Sequence, residues 1–122
     1  MGSSRGYRDL VVWKRGIALV PVIYRLAARF PKHEMYALAD QLRRASVSIP
    51  ANIAEGQARR HRKEFLQHLS IARGSLAELN TLLVVAAELG YLDAGELTDL
   101  ESQLNEIGRP LQGLISRLDG PS

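Results

Sequence analysis

The chain has 122 residues, of which 46% are hydrophobic and 24% charged, a balance that suits one globular domain and excludes an intrinsically disordered chain. It has no cysteine, which excludes disulfides, thiolate metal sites and cysteine nucleophiles. No uninterrupted apolar run approaches the roughly 20 residues of a membrane-spanning helix, and the N-terminus has no apolar signal region. We therefore expect a cytoplasmic protein with no membrane partner.

The formal net charge of +3 conceals an uneven distribution along the chain. Residues 1–73 contain 14 Lys and Arg against 5 Asp and Glu, whereas residues 74–122 contain 2 against 8. A basic half of this kind suits an anionic partner such as nucleic acid, or the acidic half of another copy of the chain.

Apolar residues recur at steps of three and four along the chain, which is the period of an amphipathic helix. The first predicted helix covers residues 9–29, begins at the N-cap residue Asp9 and carries two apolar stripes, so it should be buried on two sides. The second covers residues 33–58, with an apolar arc that starts at Met35. Four aromatic residues on apolar stripes are predicted to belong to the core rather than to a base-stacking platform: Trp13, Tyr24, Phe30 and Phe65.

The third predicted helix covers residues 62–89 and the fourth residues 94–118, whose start is marked by a capping pair of Asp93 and Glu96. Pro110 should kink the fourth helix without ending it, because the apolar seam continues beyond it. Gly16 and Gly74 indicate close approach of neighbouring helices. Short connections make successive helices antiparallel neighbours. The prediction is an all-α, up-down-up-down four-helix bundle that fills residues 1–122 as a single domain.

Five segments carry a family resemblance: residues 7–13 (YRDLVVW), 41–45 (QLRRA), 48–56 (SIPANIAEG), 63–65 (KEF) and 74–79 (GSLAEL). Over residues 7–118 the chain resembles the four-helix bundle proteins called 23S rRNA-intervening-sequence proteins, or the S23 family. The accessory variability determinant of diversity-generating retroelements is a relative that binds nucleic acid through basic surfaces. The resemblance implies a barrel-like homopentamer, with a reverse transcriptase as partner where the gene belongs to a retroelement. It implies no settled activity, and His61 departs from the family's serine-type cap.

A polar stripe on the second helix admits two interpretations. At 100° per residue its members fall close to one face: Gln41, Arg44, Ser48, Glu55 and Arg59, with Asn52 at the border. One interpretation is a groove for a nucleic-acid backbone or a partner peptide. The other is a structural network or subunit interface made by Gln41, Ser48, Asn52 and Glu55. Glu55 and Arg59 are four residues apart, which is the spacing of a helical ion pair.

A basic cluster, defined here as Arg59, Arg60, Arg62 and Lys63, follows this stripe. Four cations at the start of a helix oppose the helix dipole, so they do not serve helix stability. They suit contact with nucleic-acid phosphates without sequence readout. The candidate nucleic-acid contacts add two arginines of the second helix: Arg43, Arg44, Arg59, Arg60, Arg62 and Lys63. The alternative is a protein-interaction scaffold whose basic surface docks an acidic protein partner.

The sequence offers no catalytic or metal-binding motif. His61, Glu64 and His68 share one helix face, but the second Glu and His motif that di-iron bundles require does not occur. Nucleophile elbows, phosphate-binding loops and zinc-protease motifs are also missing. We therefore expect a non-enzymatic protein with no catalytic residues, no cofactor and no bound metal.

Overall fold

A computed structural model describes residues 2–120, with side chains from residue 6 onward. Four α-helices make up the fold: α1 (Val11–Ala27), α2 (Leu38–Gln57), α3 (Arg62–Glu88) and α4 (Ala94–Asp119). A 3₁₀ segment, Gly2–Asp9, which is kinked at Gly6, precedes α1, and a 3₁₀ helix, Lys32–Glu34, precedes α2. No strand occurs within residues 2–120, so the all-α, four-helix prediction is confirmed. Residues 1, 121 and 122 of the predicted domain lie outside the described residues.

Two predicted helix starts are wrong, for local reasons. α1 begins at Val11 because Asp9 still belongs to the preceding 3₁₀ helix and Leu10 is the extended N-cap residue. α2 begins at Leu38, five residues later than predicted, because the backbone of Ala37 (φ −120°, ψ −108°) interrupts the helical path. Met35 consequently lies in the connection and is 45% exposed instead of joining the core.

The core lies between the four helices, which contact one another in the ring order α1–α2–α3–α4. Every helix directs one leucine- and isoleucine-rich face inward. The largest fully buried apolar side chains of the core come from all four helices: Ile23, Leu42, Ile49, Ile53, Leu69, Leu79, Leu83, Ile107 and Leu111. Burial of such a side chain contributes about 1.5–3 kcal/mol, so this shared core holds the four helices together.

Contacts between neighbouring helices fix which ends lie together. As residue numbers increase along one helix, the numbers of the residues that it contacts on the neighbouring helix decrease. The contacts are Ser48–Ser75 and Asn52–His68 between α2 and α3, Arg62–Leu118 and Arg73–Gln112 between α3 and α4, and Arg15–Glu106 and Arg29–Glu96 between α1 and α4. The connection 58–61 therefore lies at the same end as the start of α1 and the end of α4. We call this the basic end, and the end formed by residues 28–37 and 89–93 the far end.

Three helical glycines have different surroundings. A Cβ at Gly16 would lie 3.4 Å from Pro50, which agrees with the predicted close approach of two helices. The close approach predicted at Gly74 and Ser75 holds only for Ser75, which is buried and bonds to Ser48 at 2.8 Å, whereas a Cβ at Gly74 would meet nothing within 4 Å. The tightest position is Gly56, which no sequence pattern singles out, where a Cβ would lie 2.7 Å from the Cβ of His68.

α4 begins and continues as predicted. Asp93 and Glu96 form a reciprocal capping box, in which the Glu96 N–H donates to the Asp93 carboxylate at 2.8 Å. The helix runs without interruption through Pro110. Proline has no N–H for the carbonyl four residues earlier, which here is that of Glu106. The Arg15 guanidinium of α1 donates to that carbonyl at 2.5 Å and replaces the missing helical bond.

By length and mean hydropathy, α3 is the one helix within residues 2–120 that reaches the values of a membrane-spanning segment. The core helix of a bundle reaches the same values, and α3 buries its inner face between α2 and α4.

Candidate nucleic-acid interface

The basic cluster occupies the 58–61 connection and the first turn of α3, and all four of its side chains are exposed. Arg59 pairs with Glu55 at 2.8 Å, as the four-residue spacing allows. Arg62 donates to the main-chain carbonyl of Leu118 at 2.5 Å and so ties the start of α3 to the end of α4. Arg60 and Lys63 have no hydrogen bond or ion pair with any residue from 6 to 120.

The start of α3 has no side-chain cap. His61 is the N-cap residue, with extended backbone (φ −107°, ψ 137°), and its imidazole bonds to none of the first-turn N–H groups. These N–H groups have no partner within the helix, and they lie at the positive end of the helix dipole. An uncapped helix start beside four cations attracts anions, and phosphate is the commonest anion bound in this way.

Arg43 and Arg44 lie apart from the basic cluster. Both contact the carboxylate of Asp40, at 3.7 Å and 2.8 Å respectively, and Arg43 also donates to the main-chain carbonyl of Met35. At 1.5 Å per residue, Arg44 is about 22 Å along α2 from Arg59. The six candidate contacts therefore form two groups rather than one surface, and the Arg43 and Arg44 group is half neutralised by the one carboxylate that both arginines share.

Half of the predicted polar network joins α2 to α3. Ser48 shares a hydrogen bond of 2.8 Å with Ser75, and the Asn52 amide donates to Ser48 while its oxygen lies 3.1 Å from His68 Nδ1. Sequence reasoning missed Ser75 and His68, because their partnership depends on the register between two helices. The other two predicted members do not join: Glu55 faces outward to Arg59, and Gln41 is exposed with no bond to any described side chain.

The metal interpretation of His61, Glu64 and His68 gains no geometric support. Within residues 6–120, no three His, Asp or Glu side chains lie close enough together to hold an ion. His68 instead belongs to the hydrogen-bond network with Asn52.

The fold converts the charge asymmetry of the sequence into an asymmetry between the two ends. The half of the bundle at the basic end, residues 6–18, 48–75 and 107–120, contains ten Lys and Arg against four Asp and Glu. The half at the far end, residues 19–47 and 76–106, contains five against nine. Some cations from the basic half of the sequence pair with the acidic half of the sequence within one molecule: the Arg29 guanidinium lies 2.6 Å from the Glu96 carboxylate.

A family model described as 23S rRNA-intervening sequence protein matches residues 8–113. The chain belongs to this family. A solved structure from Bacteroides thetaiotaomicron, described as a protein with unknown function from the S23 ribosomal protein family, superposes with a TM-score of 0.80 at 22% sequence identity. The alignment covers 87% of this chain and 99% of that one, and at this identity it shows a shared fold. The comparison with curated proteins gave no match. The resemblance carried by the sequence motifs is confirmed.

Two glutamates at the far end of this family member, Glu96 and Glu34, have shifted pKa values. The hydrogen bond from Arg29 holds the pKa of Glu96 below its usual range, with the capping-box bond to Asp93 as the next cause. The Tyr91 hydroxyl donates to Glu34 at 2.8 Å, which lowers the pKa of Glu34 and raises the pKa of Tyr91. The bonds Arg29–Glu96 and Tyr91–Glu34 join the 28–37 connection to the 89–93 connection and the start of α4, and we call them the clasp.

Exposed apolar side chains occur on two separate faces of the bundle. One stripe lies on the outer side of α1 and α2 and includes Ile17, Tyr24 and Val47. The other lies on the outer side of α3: Ile71, Val85 and Leu89. Tyr24 is 44% exposed, so its predicted place in the core is wrong, whereas Phe30 is buried.

Two further aromatic residues lie half-exposed where the chain enters α1. The rings of Tyr7 and Trp13 are 5.3 Å apart and tilted by 57°, and the Arg8 guanidinium lies over the Trp13 ring at 5.9 Å. Trp13 is partly buried against the core, as Phe65 is, rather than enclosed by it.

Proposed function

We propose that the protein is a non-enzymatic, homo-oligomeric four-helix bundle that binds nucleic acid through phosphates at its basic end. The observation that carries the proposal is that Arg60 and Lys63, beside the uncapped start of α3, are exposed and pair with no residue from 6 to 120. Because phosphate contacts do not read bases, binding is expected to be independent of sequence.

The placement of these cations supports an anionic partner over a role in stability. Cations at a helix N-terminus oppose the dipole, and within the described side chains no carboxylate pairs with Arg60 or Lys63 to compensate for that cost. Arg59 and Arg62 each have guanidinium N–H groups left beyond their contacts with Glu55 and Leu118. The contact set is therefore reduced to the basic cluster, without Arg43 and Arg44.

The reversed order of contacts between neighbouring helices supports an antiparallel, up-down-up-down arrangement. The two exposed apolar stripes support self-association, because different faces that bind one another form heterologous contacts, which generate a ring where the rotation between copies closes. A ring of five, the assembly that the family resemblance implies, would repeat the basic cluster five times and raise affinity by multivalency.

The alternative is a protein-interaction scaffold whose basic surface docks an acidic protein partner. The exposed apolar side chains favour it, since a phosphate backbone makes no use of them. A reverse transcriptase is the proposed partner in this case if the gene belongs to a retroelement.

The test compares RNA affinity after charge reversal at the basic end with RNA affinity after the same change in charge at the far end. The double variant Arg60→Glu/Lys63→Glu should weaken binding of labelled single-stranded RNA in fluorescence anisotropy at about 50 mM salt by at least tenfold. The control Arg25→Glu/Lys32→Glu has the same net charge and changes exposed residues outside the basic cluster. Equal losses in both variants would mean that net charge alone drives binding, and no loss in either would contradict the proposal.

A further inference from the structure

The aromatic pair of Tyr7 and Trp13 lies on the side of α1 that faces α2. Gly16, one turn further along α1, packs against Pro50, so Trp13 lies about level with residue 53 of α2. α2 ends at Gln57, about 6 Å further along the bundle axis at 1.5 Å per residue, and Arg60 lies in the connection that follows, about one helix spacing of 8–10 Å to the side. The pair therefore flanks the basic cluster at the same end of the molecule.

The pair keeps part of its ring surface open. Tyr7 and Trp13 are both only partly buried, the two rings contact each other at 5.3 Å, and the exposed Arg8 lies over the Trp13 ring at 5.9 Å. A backbone path that only glycine adopts readily, at Gly6 (φ 59°), leads into this arrangement, and the Leu10 N–H then donates to the Tyr7 carbonyl at 3.0 Å. The local backbone thus presents Tyr7 and Arg8 next to Trp13.

From this juxtaposition we infer that the protein prefers single-stranded nucleic acid and stacks an unpaired base on Tyr7 and Trp13 while the basic cluster holds the adjoining phosphates. The inference rests on the proposed function. Aromatic rings and guanidinium planes both stack on bases, and such stacking tolerates any base because each has a π-face. A duplex offers the phosphates but keeps its bases paired, so it engages only the basic cluster.

Trp13 is the only tryptophan in the chain, and its emission reports directly on the pair. A short single-stranded oligouridine should quench that emission in step with the rise in anisotropy of a labelled strand. Inorganic polyphosphate, which has phosphates and no bases, should compete for binding and leave the emission unchanged.

Two substitutions of Tyr7 separate stacking from local packing. Tyr7→Leu keeps apolar cover for Trp13 and removes the π-face, so it should weaken single-strand binding about five- to tenfold and leave duplex binding unaltered. Tyr7→Phe keeps the ring and should bind as the unaltered protein does. The control is Tyr36→Leu, since Tyr36 is 88% exposed at the far end.

The stacking inference would be overturned if oligouridine quenched the Trp13 emission no more than polyphosphate does, or if Tyr7→Leu left single-strand affinity unchanged. In either case a rise in anisotropy on binding would still support phosphate binding at the basic cluster. A protein that bound none of the three ligands would overturn both.

Discussion

Two helical glycines, Gly56 and Gly74, differ in the space that their neighbours leave for a side chain. Gly56 of α2 faces α3 so closely that a Cβ would lie 2.7 Å from His68 and 3.0 Å from Phe65, whereas Gly74 of α3 faces open space. Gly56→Ala should lower the free energy of unfolding by about 1–3 kcal/mol, because the two helices must move apart. Gly74→Ala is the matched control and should raise it by about 0.5–1 kcal/mol, because alanine favours the helix.

Urea denaturation followed by circular dichroism measures both changes. Destabilisation by Gly74→Ala would contradict the open surroundings seen in one chain and would locate a subunit contact at that position. A neutral Gly56→Ala would contradict the close approach of α2 and α3.

The clasp at the far end predicts how stability depends on pH. The pKa values of Glu34 and Glu96 are lowered in the folded chain. In the unfolded chain the pKa of glutamate is about 4.3, so near this pH the folded state binds fewer protons than the unfolded state. Their stabilising effect is present above that value and is lost as the pH falls through the folded-state pKa. The free energy of unfolding should therefore decrease below about pH 4.5.

Glu96→Gln should make this acid dependence shallower, because the ion pair with Arg29 is then absent at every pH. Glu78→Gln is the control, since Glu78 is exposed on α3 and contacts no described side chain. Denaturation midpoints from pH 7 to pH 3 give the comparison, and identical slopes for both variants would rule out a role for the clasp.

At the scale of a helix, α4 passes through Pro110 because another helix supplies the missing donor. Arg15 of α1 bonds to the Glu106 carbonyl that Pro110 leaves unsatisfied. Arg15→Met should lower the free energy of unfolding by about 1 kcal/mol. In a Pro110→Ala background the same substitution should have almost no effect, since the backbone N–H of the introduced alanine restores the helical bond. A double-mutant cycle by thermal unfolding tests this coupling, and additive effects would refute it.

How far the sequence predicts these helices depends on whether the signal is local. Hydrophobic periodicity and the Asp93–Glu96 pair identify four helices and the start of α4, because both act within a few residues. The predicted start of α2 is wrong because the backbone of Ala37 interrupts the helical path, and the Leu38 N–H donates instead to the Glu34 carboxylate at 3.3 Å. Glutamate is not a usual capping residue, so the sequence does not mark this start. The register between helices has no local signal at all.

The candidate site divides in the same way. The basic cluster is local and follows from the sequence, as does the missing cap at His61. The pairing of Arg43 and Arg44 with Asp40 also follows from helical spacing, because the three residues lie within about one turn of each other, so the sequence alone carries a signal for it. The link from Arg62 to Leu118, and the bonds of Ser48 and Asn52 to α3, require the folded arrangement.

At the scale of the whole molecule, two apolar faces and one basic end predict a self-associating protein. Light scattering after size exclusion at micromolar concentration should give a mass of several protomers. Val47→Glu or Ile71→Glu should lower that mass, because each buries a charge in a contact between copies. Thr98→Glu, on the exposed side of α4, adds the same charge away from both stripes and should change nothing. A single-protomer mass for the unaltered protein would contradict self-association.

The salt dependence of RNA binding tests the account's central claim most directly. Anisotropy of a labelled single strand should show binding at about 50 mM salt that weakens steeply by about 200 mM, with a logarithmic slope near −2 to −3 per protomer if three or four phosphates are contacted. Absence of binding at the lower salt concentration, or a slope near zero, would show that the basic end does not engage a phosphate backbone.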